Sequence, residues 1–141
     1  MEIHIDPKGL EFDTPNIFDI PDANECDTSF HKYLPGHSIV ILKVSLKDQN
    51  NWYLIFENVR YYQGSFSWTG ASFSISPIKD LYEILFGSPA EQNISENNLT
   101  ERLEGLKSTS VRLFSLVSGI KVIRIVSGSV TITDEIKEYI D

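Results

Sequence analysis

The chain has 141 residues, 41% hydrophobic and 23% charged, the profile of one globular domain long enough to bury its own core. Its single cysteine, Cys26, excludes an internal disulfide framework and fits a reducing compartment. A net charge of -8 opposes binding to phosphate, so nucleic acid is not an expected partner.

That charge is unevenly divided. Residues 1–30 hold eight acids and one base, a local charge of -7. Residues 105–133 hold Lys107, Arg112, Lys121 and Arg124 and no acid. Such asymmetry predicts either an acidic arm facing a partner or an arm folded onto basic strands of its own domain.

The N-terminal stretch MEIHIDPKG lacks the basic and apolar regions of a secretory leader, and no apolar run approaches the length of a membrane span. The expected location is the cytoplasm, with no membrane contact. Residues 1–37 read as an acidic, irregular wrap. Glu2–Ile5 fits a short edge strand, and Asp6-Pro7-Lys8-Gly9 fits a turn. Three prolines and alternating acids follow, yet Leu10, Phe12, Ile17, Phe18, Ile20, Phe30, Tyr33 and Leu34 are too apolar for a disordered tail. A short helical turn is expected at Asp27–Tyr33.

Residues 38–76 read as aromatic-rich strands. In Ser38–Lys47, Val40, Leu42, Val44 and Leu46 share one face and Ile39 and Ile41 the other. The hairpin loop Asp48–Asn51 returns into Trp52–Phe56, apolar on both faces and therefore expected in a sheet centre. Alternation changes parity at Glu57-Asn58 and again at Gly70, which predicts two matched bends. Residues 51–75 hold eight of the sixteen aromatic side chains, and most are expected in the core.

The segment 77–107 is expected to be helical. Ser76-Pro77 opens one helix as cap and first residue, Gly87 closes it, and Ser95 caps a second helix to Lys107. Residues 110–133 read as a three-stranded meander, and residues 134–141 as a short terminal helix. The fold expected is one α+β domain over residues 1–141. It is dominated by a bent antiparallel sheet, open or partly closed into a barrel, with one or two helices between strands.

No motif identifies a reaction. Phosphate loop, nucleophile elbow and cysteine zinc patterns are absent, and no cofactor or metal is expected. Asp19, Asp22, Asn24 and Asp27 fail as a calcium loop, lacking the turn glycine and the closing glutamate. Flanking acids should raise the Cys26 pKa, the wrong environment for a nucleophile. Arg124 shares parity with Ile120, Val122 and Val126, so it is a candidate for a buried ion pair with the acidic segment, the alternative being a solvent-facing strand side.

The leading functional expectation is a non-catalytic protein-interaction module, an acidic inhibitor or immunity-like protein being one version. Its candidate contacts are Asp13, Asp19, Asp22, Glu25 and Asp27, with Tyr53, Tyr61 and Tyr62 as exposed aromatics, and its partner is another protein of basic character. One alternative is a small-molecule binder with an aromatic pocket of Trp52, Phe56, Phe66, Trp68 and Phe73. A third reading is a hydrolase-type enzyme using His31 or His37.

Overall fold

The computed structural model describes residues 2–47 and 50–136. It holds two antiparallel sheets packed face to face and two helices. The first sheet has the order β1 (Glu2–Ile5), β10 (Val130–Thr133), β4 (Asn51–Phe56), β3 (Ile39–Ser45), β2 (Asp27–Leu34), β6 (Ser67–Thr69). The second has the order β5 (Tyr61–Gln63), β9 (Lys121–Ser127), β8 (Arg112–Ser118), β7 (Ser74–Ile75). Neither sheet closes on itself, so the expectation resolves to the open form.

Alternation on β3 and β4 places the faces as the sequence predicts. Val40, Leu42, Val44, Leu54 and Phe56 enter the core between the sheets, while Ile39, Ile41 and Ile55 form a smaller cluster on the other face with Leu34 and Tyr53. β4 lies between β10 and β3, the central place expected for it, and both of its faces are packed, Leu54 and Phe56 in the core between the sheets and Ile55 in the smaller cluster.

The two parity changes have a common cause: they are where the chain leaves one sheet for the other. After β4 it turns at Asn58, with φ 54°, to enter β5 of the second sheet. After β6 it turns at Gly70, with φ 116°, to enter β7. The return crossing from β9 to β10 lies against the first of these. Gly128 N–H donates to the Glu57 carbonyl at 2.8 Å, and Glu57 N–H to the Ser129 carbonyl at 2.9 Å. A Cβ on Gly128 would sit 3.3 Å from the Glu57 carbonyl oxygen, so glycine lets the two crossings touch.

This topology corrects the expected meander. β8 and β9 form a hairpin in the second sheet, but β10 joins the first, between β1 and β4. The Ser127-Gly128-Ser129 connection reads locally like a hairpin turn, and its glycine serves the crossing instead.

The acidic wrap also departs from expectation in one part. Asp27–Leu34 is strand β2 rather than a helical turn, because Thr28, Phe30 and Tyr33 find Val44, Leu42 and Val40 opposite them. Residues 13–26 are irregular and ordered. They run antiparallel along 70–75, with bonds from Asp13 N–H to Ile75 O, Ile17 N–H to Phe73 O, Ala71 N–H to Ala23 O and Gly70 N–H to Cys26 O. The wrap is longer than its partner, and turns take up the excess. Asp13, Asn16, Asp19 and Asp22 all have positive φ, one every third residue. Aspartate and asparagine tolerate this left-handed region better than other chiral residues.

Helix α1 (Ile78–Phe86) and helix α2 (Glu96–Lys107) lay Leu81, Tyr82 and Leu106 on Leu113 and Val126 of the second sheet. Ser95 caps α2 as expected, accepting from Asn98 N–H. Ser76 does not cap α1; its hydroxyl bonds that of Ser115, and Pro77 takes the cap position. Residues 134–136 are not helical, and the rest of the expected terminal helix lies outside the described residues, as do residues 48 and 49 of the hairpin loop.

Candidate interaction site

The wrap turns its acids outward because its apolar residues are fixed inward. Phe18, Ile20, Ala23 and Cys26 are buried in the core. Phe18 stands between Phe56, Phe73 and Phe114, with ring centroids 5.9, 5.9 and 5.6 Å away. The intervening Asp13, Asp19, Asp22, Glu25 and Asp27 are all exposed.

The pKa of the Cys26 thiol is raised first by burial, then by the charges of Asp22, Asp27 and Glu25. The Cys26 thiol donates to the Asp22 carbonyl at 3.2 Å and is held protonated. Lys47 pairs with Glu25, and that contact raises the pKa of its ammonium. Asp13 is anchored away from this group, by its backbone at β7, and Asp19 stands between buried Phe18 and Ile20.

Asp27 also lines a polar cleft of about 500 Å³ between the ends of β2 and β6 and the β8–β9 turn. In register, Asp27 lies between Ser45 of β3 and Thr69 of β6, which places a carboxylate between two hydroxyl residues across three strands. Trp68 is buried at its base, its indole N–H donating to the Gly70 carbonyl at 2.9 Å. Lys121 of β9 closes the far wall by donating to the Ser67 carbonyl at 2.8 Å.

The tyrosines lie elsewhere. Tyr61 and Tyr62, on β5, line a groove of about 260 Å³ with Phe30 and Tyr33. Tyr61 is exposed, whereas Tyr62 packs edge-on against Phe30 and burial pushes its phenol up to about 12. Tyr53 is half-buried on the far face of the first sheet, against the ring of His31.

Of the five residues expected to line an aromatic pocket, Phe56 and Phe73 are packed against Phe18 and each other, Trp52 is half-buried against the core, Trp68 is buried, and Phe66 points away from the core at 86% exposure. Arg124 is likewise exposed, so of its two expected placements the solvent-facing one holds and the buried ion pair does not form. The buried arginine is Arg112, at 1% exposure. It has no carboxylate partner within ion-pair distance among the described residues; its guanidinium donates to the carbonyls of Lys107, Thr109 and Val111. The ring of Phe12, from the wrap, covers it at 4.7 Å. Burial lowers its pKa and Asp6 partly offsets this. The acidic arm does therefore fold onto a basic strand of its own domain, chiefly through an aromatic ring.

Sequence reasoning missed the cleft and three apolar side chains beside it. Phe66, Val117 and Ile120 are exposed at 86, 70 and 101%, the highest values among the large apolar side chains of the described residues. One signal was readable: Val117 and Ile120 flank the Ser118-Gly119 turn, where polar residues are the norm.

Among the described residues no helix is long and apolar enough to cross a membrane, and no three His, Cys, Asp or Glu side chains are arranged to hold a metal ion. Comparison with protein-family models, with curated proteins and with solved structures finds no match.

Proposed function

We propose that this chain is a non-catalytic interaction protein that binds a basic protein partner through its acidic N-terminal segment, an inhibitor or immunity-like protein being the concrete version. The observation that carries the reading is the exposure of Asp13, Asp19, Asp22, Glu25 and Asp27. Among the described residues, Glu25 alone of the five is in an ion pair. Unmatched carboxylates of one sign steer encounter with an oppositely charged surface. The cytoplasm suits such a protein, because there Cys26 stays a thiol.

The test is a neutralised variant, Asp22→Asn/Glu25→Gln/Asp27→Asn. A basic protein captured by the wild type from its source cells would be purified and titrated against both forms by calorimetry at low and high salt. Stoichiometric binding that weakens with salt and is lost in the folded variant is the expected result. Salt-independent binding, or equal binding by the variant, would overturn the reading. So would unfolding of the variant, which would make the acids structural.

The small-molecule reading retains one observation, at a different place from the pocket expected. An apolar groove of about 410 Å³ lies between the helices, lined by Tyr82, Phe86 and Leu106. Nothing stands within 4 Å of a Cβ on Gly105 at its floor. Ligand-observed NMR with small aromatic probes, blocked by Gly105→Trp, checks it.

A further inference from the structure

The groove between the helices has a chemistry that both helices set. On α1, Tyr82 and Phe86 stand four residues apart on one side, with ring centroids separated by 5.1 Å. On α2, Arg102, Gly105 and Leu106 fall at i, i+3 and i+4 and line the same groove. Gly105 adds no side chain there, which helps leave a hollow of about 410 Å³, the size of a small-ligand site. Phe86 borders it with its ring 54% exposed, an apolar surface without a cover.

One charge borders this apolar space. Arg102 is the only charged residue of the lining, and among the described residues it makes no ion pair. Its Nη1 donates to the Tyr82 hydroxyl at 3.1 Å, and that hydroxyl donates to Gln92 Oε1 at 2.9 Å. The Gln92 amide nitrogen donates in turn to the Phe86 carbonyl. This chain of bonds ties α1, the connection and α2 together and holds the guanidinium at the groove edge. The edge formed by Nε and Nη2 keeps its donors for another partner.

The acids nearest in sequence lie off the groove. Glu83 and Glu101 are exposed and do not line it, and Glu104 is paired with Lys107. Helix C-terminal carbonyls, which would repel an anion, are already engaged. That of Phe86 accepts from Gln92, and those of Lys107 and Thr109 accept from the buried guanidinium of Arg112.

We propose that the groove binds a small amphipathic carboxylic acid, its apolar body against Phe86 and Leu106 and its carboxylate on the free edge of Arg102. A carboxylate matches the planar fork of a guanidinium with two parallel bonds, and apolar surroundings strengthen the attraction. The assignment rests on the small-molecule reading of this groove and adds the class of ligand; it does not depend on the acidic segment.

The probe is 4-phenylbutanoate, titrated into the isotopically labelled full chain and followed by amide and arginine Nε–H NMR signals. The controls are 4-phenylbutanamide, 4-phenylbutylamine and acetate. The acid should shift Phe86, Gln92, Gly105, Thr109 and the Arg102 Nε–H. The amide should bind about tenfold more weakly, the scale of a lost charge-assisted contact, and the amine and acetate should not bind. Arg102→Gln should bring the acid down to the affinity of the amide and leave the amide unchanged, a split that a merely structural loss would not produce. Arg102→Lys keeps the charge without the fork and should fall between. Gly105→Trp fills the hollow without altering a charge and should abolish binding of acid and amide alike. Equal binding of acid and amide, tighter binding of the amine, or unchanged acid binding in Arg102→Gln or Arg102→Lys would overturn the carboxylate assignment and leave the groove a small-molecule site. No shifts from any probe, or shifts that persist in Gly105→Trp, would overturn both.

Discussion

Residues 13–26 and residues 51–75 reach the same core by opposite routes. The aromatic segment uses strand alternation and changes sheet at each interruption, so its bends are set by Asn58 and Gly70. The acidic wrap uses no repeating secondary structure; it sends in Phe18, Ile20, Ala23 and Cys26 between turns at Asp13, Asn16, Asp19 and Asp22. The aromatic segment looks like a binding platform, yet three of its eight rings are buried and three more pack half-buried against the cores. The wrap looks like a tail and supplies the ring at the centre of the molecule. Residue type alone is a poor guide to which segment is scaffold; what decides is whether apolar side chains recur at a spacing the backbone can turn to one side.

The sharpest way to break this comparison is to truncate one ring from each region. Phe18→Ala removes a buried ring touching three others and should cost about 3–5 kcal/mol in urea unfolding, the range for a phenylalanine core deletion. Phe66→Ser, inside the aromatic segment but 86% exposed, should stay within about 0.5 kcal/mol of wild type. If Phe18→Ala were equally mild, the wrap would be an appendage rather than core.

Much of this was legible in the sequence, and the failures have a shared cause. The β3–β4 hairpin, the central place of β4, the parity breaks and the Ser95 cap follow from patterns within a few residues. What those patterns do not carry is which sheet a strand joins after a break. The sequence predicts β10 beside β9, because a Ser-Gly-Ser connection is locally the same whether the chain folds back or crosses over. Parity could not choose between the two placements of Arg124 either, because it gives a face of β9, and which face is covered depends on α1, α2 and Phe12, all distant in sequence. The acids at the candidate site were visible as a charge bias. The cleft was not, because β2, β6 and the β8–β9 turn meet only in three dimensions.

Arg112 gives the next test, since it is where the wrap meets the second sheet away from the aromatic core. Arg112→Met keeps much of the volume but leaves the Lys107, Thr109 and Val111 carbonyls without their donor. A loss of about 2–3 kcal/mol is expected, the scale of charge-assisted bonds to buried groups. Arg124→Met on the exposed side of β9 should be nearly neutral. Similar effects at the two sites, read by denaturant midpoint at unchanged slope, would contradict the distinction between them.

A smaller effect separates the two roles of the wrap's acids. Asp13→Ala, Asp19→Ala and Asp22→Ala each force a β-carbon without a polar head into the left-handed region and should cost about 1 kcal/mol apiece. The corresponding asparagine variants keep the turn and remove the charge, so they should be stable to within about 0.5 kcal/mol. If alanine and asparagine were equally destabilising, charge would be holding the turns. If both were neutral, the turn chemistry would be irrelevant and the acids would be present for binding alone.

The last comparison is read only at high pH and sets two titratable groups side by side, buried Cys26 in the wrap and half-buried Tyr62 in the aromatic segment. Both have pKa values raised by burial, Cys26 from 9.0 with help from its neighbouring acids and Tyr62 from 10.0 to about 12. In each case the unfolded chain loses its proton first, so above the unfolded value the native state binds more protons and stability falls as pH rises. The stabilisation from Cys26 is fully present below pH 9.0 and declines above it. That from Tyr62 is fully present below pH 10.0 and is lost by about 12. Tyr62→Phe should therefore flatten the stability profile between those limits, whatever its absolute stability, and Cys26→Ala should flatten the part that begins at 9.0. Slopes parallel to wild type in either variant would show that the group is as solvated in the folded chain as in the unfolded one. For Cys26 that result would reach further, because it would mean that the charges of Asp22, Asp27 and Glu25 do not act on the thiol.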